Sequence, residues 1–162
     1  MSEETIVQWQ NSYSVGIRPI DEQHKELIRL TNKLFSGCMT GKIKGRDTFL
    51  EIIHEAVEYI GYHFGIEEKI MIKTNYPDFA KHKLEHNDFV REVYNNVDEF
   101  ESGKIFVPLH FMYFLRDWVL HHIAICDKKL GNYLLLMKRN GYFQNVSLKI
   151  KKDMMTNRML IK

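Results

Sequence analysis

Ionisable side chains occupy stripes of this sequence where a helical chain normally buries hydrocarbon. Apolar residues recur at three- and four-residue steps in four segments, the signature of amphipathic helices. The inward stripe of each segment carries at least one histidine: His24, His63 with Glu67, His82 with His86, and His122 with Asp127. Such groups at core positions are costly unless they are paired or bound to a metal. Five imidazoles and two carboxylates facing one interior are too many to satisfy one another by hydrogen bonding. Their number suits a cage for two metal ions.

The connections between these segments are short. Residues 1–20, with Trp9, Tyr13, Val15, Ile17 and Pro19, read as an extended arm whose aromatics lie across the body of the protein. Helical periodicity begins at Asp21, a candidate N-cap, and runs through His24, Leu27, Ile28, Thr31 and Leu34. Residues 36–45 contain three glycines and two lysines and read as a loop. A second helix is expected over 46–73, ended by Thr74-Asn75-Tyr76-Pro77, and a third over 77–100, followed by a turn at 101–104. The fourth is expected over 108–130, with Gly131 as its stop. The predicted fold class is therefore all-α: an up-down-up-down four-helix bundle over 21–131, with an extended N-terminal arm and a short basic C-terminal extension over 132–162. A short helix over 132–139 and an Asn140-Gly141 turn are expected inside that extension.

A chain of 162 residues with 44% apolar and 27% charged residues fits one domain with a substantial core. A formal net charge of +2 is too small to imply a polyanion partner, so no nucleic acid is expected for the bundle. From Lys138 onward there are seven basic residues and one acid. That stretch is either a packed or solvated extension or a contact for a membrane surface, nucleic acid or an acidic partner. The N-terminus is polar, and no apolar run approaches the roughly 18 residues of a membrane span. Cys38 and Cys126 are isolated and are expected as free thiols in a reducing cytoplasm. A monomer is the default expectation for the oligomeric state.

Spacing narrows the chemistry. Residues four apart on a helix share a face, so His63 with Glu67 and His82 with His86 can each present two donors to one interior. His122 and Asp127 are separated by a rotation of about 140° beyond a full turn, which suits a carboxylate reaching across two ions better than one coordination sphere. Imidazole and carboxylate donors select iron, manganese, cobalt, zinc or copper over calcium or magnesium. If Glu67, Asp127 and an oxo or hydroxo group bridge two ions, five histidines split three and two. One ion is then saturated and the other keeps an open position. Leu27, Phe64, Trp118, Val119 and Ile123 lie near the ligand positions along the chain and form an apolar ligand pocket, suited to a neutral diatomic. His54 falls about 180° around its helix from His63, and His110 and His121 fall off the inward stripe. These three histidines are expected outside the centre.

The residues Ile20-Asp21-Glu22-Gln23-His24-Lys25, His63-Phe64-Gly65-Ile66-Glu67-Glu68, His82-Lys83-Leu84-Glu85-His86 and Trp118-Val119-Leu120-His121-His122-Ile123, ending at Asp127, resemble the hemerythrin family, in particular its bacterial single-domain members. Trp9, Tyr13 and Gly16-Ile17 are similar to that family's N-terminal arm, so the resemblance covers roughly residues 6–130. It implies two iron ions (Fe2+/Fe3+) with a bridging oxo or hydroxo group and reversible O2 binding without porphyrin. It assigns His82, His86 and His122 to the saturated iron, His24 and His63 to the iron that takes O2, and Glu67 and Asp127 as bridges. Val119 stands where the family often has leucine.

An O2-binding protein for storage, delivery or sensing is thus expected rather than an enzyme. The competing functions are a di-iron oxidase, peroxidase or nitric-oxide-handling enzyme, and a redox sensor that makes contacts through its tail. Carboxylate-rich oxygenase bundles use paired Glu-x-x-His motifs, and this chain lacks the pair.

Overall fold

A computed structural model describes residues 5–39, 46–102 and 108–142. Among them every regular element is helical. The elements are α1 (Arg18–Met39), α2 (Arg46–Thr74), α3 (Phe79–Glu101) and α4 (Pro108–His121), followed by a π-helical turn (His122–Asp127) and α5 (Lys128–Arg139). Helix α1 packs against α2 and α4, and α2 packs against α3, giving the four-helix bundle that the periodicity predicts. No helix among the described residues is long and apolar enough to cross a membrane.

Helix ends differ from the sequence expectations in instructive ways. Helix α1 starts at Arg18 rather than Asp21, with Ile17 accepting the first amide bonds from Ile20 and Asp21. The Asp21 carboxylate instead reaches back to the arm, accepting from the Val15 amide and the Ser14 hydroxyl, each at 2.7 Å. Helix α1 also continues through Met39, into the stretch expected as a loop; residues 40–45 lie outside the described set. Helix α2 ends where Asn75 adopts a positive φ of 50° and the Tyr76 amide returns to the Met71 carbonyl at 2.9 Å. That left-handed stop moves the start of α3 from Pro77 to Phe79.

Gly131 does not end the fourth helix. The helix runs on to Arg139, and the turn comes at Asn140 and Gly141, the latter at φ +78°. The glycine is needed for packing: a Cβ at this position would lie 2.5 Å from the Val15 carbonyl oxygen. The arm crosses the helix at that point. It is extended apart from one 3-10 turn at Asn11–Tyr13. Asn32 on α1 pins it by accepting from the Ile6 and Val7 amides and donating to the Val7 carbonyl. Lys128 donates to the Ser14 carbonyl from the other side.

Two apolar clusters result. One combines the arm's Val15 and Ile17 with Ile20, Ile66, Ile70, Met71, Leu130 and Leu134; the larger one includes Leu27, Ile53, Phe89, Phe111, Leu115 and Val119. The buried histidines and carboxylates lie on the same helices between these two cores, which shield them from water. The strongly basic stretch of the C-terminal extension lies mostly outside the described residues.

Candidate metal centre

All seven ionisable groups on the inward stripes converge. His24, His63, Glu67, His82, His86, His122 and Asp127 are each at most 4% exposed. They fall into two overlapping groups: Glu67 with His82, His86 and His122, and Glu67 and Asp127 with His24 and His63. Within each group one donor atom per residue lies within 4.8 Å of all the others. Glu67 belongs to both. Asp127 also faces two ways: its Oδ2 is 3.1 Å from His24 Nε2, while its Oδ1 is 3.1 Å from His122 Nε2 and 3.3 Å from His82 Nε2. Glu67 Oε2 lies 3.4 Å from His86 Nε2, 3.5 Å from His82 Nε2 and 3.7 Å from His63 Nε2. His54, His110 and His121 are exposed and take no part.

The π-helical turn accounts for the five-residue step. In a regular α-helix His122 and Asp127 would diverge, but i→i+5 geometry widens the turn and stacks the two residues. Their side chains consequently meet on one face. The α-helical rotation anticipated from the spacing does not apply to this segment.

These groups fit a metal and satisfy one another only in part: His86 Nε2 and His122 Nε2 meet at 3.0 Å. Among the described residues, ten buried side-chain atoms lack a hydrogen-bond partner, including both oxygens of Glu67 and of Asp127 and the Nε2 atoms of His24, His63 and His82. Buried polar atoms left this way cost about 1–3 kcal/mol each. A cation with bonds of about 2.1 Å arranged at right angles separates neighbouring donors by about 3 Å, close to the distances found. The donor set of imidazole and carboxylate suits iron, manganese or zinc.

Electrostatics point the same way. Burial and their mutual repulsion resist ionisation of Glu67 and Asp127, yet the surrounding imidazoles hold both below the usual carboxylate range. Burial lowers His63 to about 4, keeping it neutral. Burial also disfavours a charged His82, but contacts with Asp127 and Glu67 overcome it and raise the ring to about 10. Carboxylates already ionised and a neutral imidazole are ready donors; a protonated His82 has to release a proton to become one.

Behind the donors stands a layer of residues that the inward-stripe pattern does not single out. Gln23 Oε1, buried on α1, accepts from His63 Nδ1 on α2 at 2.8 Å and leaves Nε2 directed into the cage. Glu68 on α2 lies 3.3 Å from His86 Nδ1 on α3, and its other oxygen accepts from Lys83 at 2.7 Å. Glu85 on α3 lies 3.6 Å from His122 Nδ1, and accepts from the Cys126 thiol at 2.7 Å. Each stands beside a cage residue in sequence while serving one on the next helix, a pattern visible only in three dimensions. Such partners fix the tautomer and orientation of metal-binding imidazoles. Cys38 and Cys126 are both free thiols, and burial with the Glu85 charge pushes Cys126 up to about 12.

The five expected pocket residues divide in two. Phe64 stacks on His86 with ring centroids 3.7 Å apart and planes within 5°, and Trp118 stacks on His122 at 4.4 Å and 13°. These aromatics brace rings of the three-histidine group. Leu27, Val119 and Ile123 are buried aliphatic residues of the large apolar cluster, and Leu27 and Val119 line a cavity beside the centre.

Comparison with known proteins agrees with this architecture. The hemerythrin HHE cation binding domain matches residues 15–134. The chain is 34% identical over 111 residues to a bacteriohemerythrin of Methylococcus capsulatus, covering 68% of this chain and 82% of that protein. It is 33% identical over 124 residues to a bacteriohemerythrin of Stenotrophomonas maltophilia, covering 76% and 78%. A wild-type hemerythrin crystal structure superposes with a TM-score of 0.71 at 29% identity, covering 79% of this chain and 97% of that one. With the family's domain spanning most of its length, this chain belongs to the hemerythrin family.

Proposed function

We propose that this chain is a non-haem di-iron protein that binds O2 reversibly. The observation that carries the reading is the pair of overlapping donor groups sharing Glu67, one with three histidines and the other with two, all buried. His82, His86 and His122 would hold one iron, His24 and His63 the other, and Glu67 and Asp127 both. An iron pair held there would supply the two electrons that binding a neutral diatomic requires.

The protein's own residues govern what happens to that ligand. Leu27, Val119 and Ile123 present hydrocarbon and exclude water, and none can donate a proton. Gln23 holds His63 through its Nδ1 and keeps the ring from turning. Tyr76, whose ring lies 6.4 Å from that of His82, is pushed up to about 12 by burial and neighbouring carboxylates, so its phenol keeps its proton. A dry, hydrocarbon-lined site favours the return of intact O2 over loss of a reduced oxygen species. Free cysteines fit a cytoplasmic protein, and the basic residues after Tyr142 would offer a contact to an acidic partner or an anionic membrane surface.

Metal quantification, with visible spectra under air and argon, tests the ions. Stopped-flow mixing of the reduced protein with O2 tests the activity. A stable oxygenated form that returns its gas under vacuum supports carriage. Immediate conversion to the ferric state with net O2 consumption would identify a redox enzyme instead.

A further inference from the structure

His122 has two nitrogens, and only one of them belongs to the cage. Its Nε2 lies 3.1 Å from Asp127 Oδ1 and 3.0 Å from His86 Nε2. Its Nδ1 is also buried but has no hydrogen-bond partner among the described residues. Glu85 Oε2 on α3 stands 3.6 Å from it, beyond hydrogen-bond length. The same oxygen accepts from Cys126 Sγ at 2.7 Å. One donor atom each from Glu85, His122 and Cys126 lies within 4.8 Å of the other two. The π-helical turn arranges this: it sets Asp127 at the inner nitrogen of His122 and brings Cys126, one position earlier, to the Glu85 side.

These donors differ from those of the cage by a sulfur. Thiolate with imidazole selects zinc or cuprous ion, and the added carboxylate favours zinc. Tetrahedral zinc, with bonds of about 2.3 Å to sulfur and about 2.0–2.1 Å to nitrogen and oxygen, holds sulfur and oxygen about 3.5 Å apart and nitrogen and oxygen about 3.4 Å apart. The nitrogen–oxygen pair is already close to that spacing. The sulfur–oxygen pair has to open by about 0.8 Å, which Glu85 can allow because its side chain is 32% exposed on a flexible stem. That exposure also gives a cation its way in and leaves the fourth position to water. Burial and the Glu85 charge keep the Cys126 thiol protonated in the absence of a cation; a coordinated divalent ion takes a thiol as thiolate.

We infer that Glu85, His122 and Cys126 form a further metal site, for zinc, that shares His122 with the cage through the opposite nitrogens of its ring. Binding releases the Cys126 thiol proton and the His122 Nδ1 proton to solvent, leaving the ring as an imidazolate between two cations. The shared ring rests on the proposed function; capture of zinc by the thiolate does not.

X-ray absorption at the zinc edge is the probe. Full-length iron-loaded protein, given one equivalent of Zn2+ and desalted, is expected to keep one zinc per chain, with one sulfur neighbour at about 2.3 Å and its iron undiminished. Cys126→Ser is expected to lose that zinc, and Cys38→Ser to keep it. Calorimetry in buffers of different ionisation enthalpy is expected to count both released protons; the thiol proton alone would strike His122 from the site. Zinc that washes out of the wild-type protein, or that shows only nitrogen and oxygen neighbours, overturns the proposal. So does zinc retained by folded Cys126→Ser or lost from folded Cys38→Ser; the wild-type spectrum decides even if a variant fails to fold. A chain that keeps zinc on sulfur but takes up no iron pair would uphold the thiolate site while removing the di-iron reading.

Discussion

Replacing Gly131 by alanine sets two opposed effects against each other. Helix propensity alone predicts a gain of about 1 kcal/mol, because glycine is the poorer residue inside a helix. Here the new methyl would stand 2.5 Å from the Val15 carbonyl oxygen, 2.8 Å from Val15 Cβ and 3.2 Å from its carbonyl carbon. The obstacle is backbone, so no rotamer change relieves it. If the arm stays, overpacking costs about 1–3 kcal/mol. If it lifts away, the Val15 side chain loses burial worth about 1.5–3 kcal/mol, and the Val15 amide loses its bond to the Asp21 carboxylate. Either outcome exceeds or matches the propensity gain, and the arm's departure combines both losses. After the propensity gain is subtracted, the net destabilisation is up to about 2 kcal/mol if the arm stays and about 1.5–3 kcal/mol if it lifts, the latter roughly 3–12 °C in Tm for a chain of this size. Thermal melts of the metal-loaded protein measure it, and hydrogen exchange at the Val15 amide should accelerate in parallel. A variant as stable as the parent, or more so, with that amide still protected, would refute the close approach as the reason for glycine.

Chelation should lower the Tm by about 10 °C. Buried charges stripped of their partner cost on the order of 3–5 kcal/mol, and each kcal/mol moves Tm by roughly 2–4 °C; calorimetry before and after chelator shows whether it does. The stability of the metal-free protein should peak near pH 6.5. His82, raised to about 10, contributes stability that is complete below about 6.5 and lost as pH rises toward 10. His63, lowered to about 4, acts oppositely: protonation favours the unfolded chain, so stability declines as pH drops from 6.5 toward 4. Urea melts from pH 4 to 10 would reveal the maximum, and a monotonic profile would contradict these shifts. Phe64→Ala removes the ring stacked on His86 and should cost about 3–5 kcal/mol, with weaker metal retention measured by competition with a chelator.

The helical bundle and the convergence of seven donors were legible because burial imposes a period that can be counted. Ionisable residues standing on that period are anomalous, and each of the seven is buried in one cluster. What escaped the sequence reading depends on backbone register or on neighbours distant in the chain. The π-helical turn changes a hydrogen-bond register, and nothing in His122-Ile123-Ala124-Ile125-Cys126-Asp127 announces it. Gly131 was expected to stop a helix because glycine commonly does, whereas here the close passage of Val15 demands it. Gly37, read as loop, is buried within α1. Gln23, Glu68 and Glu85 were unassigned because each borders a predicted donor on its own helix while its partner lies on another.

That last arrangement makes the four helices clasp one another hand to wrist around the cage. A rigid-body slip of α2 would slacken Gln23's hold on His63 and Glu68's hold on His86 together. Seating a first ion would therefore stiffen the neighbours that a second one needs. Titrated with metal, the protein should pass from empty to doubly filled with little singly filled material between.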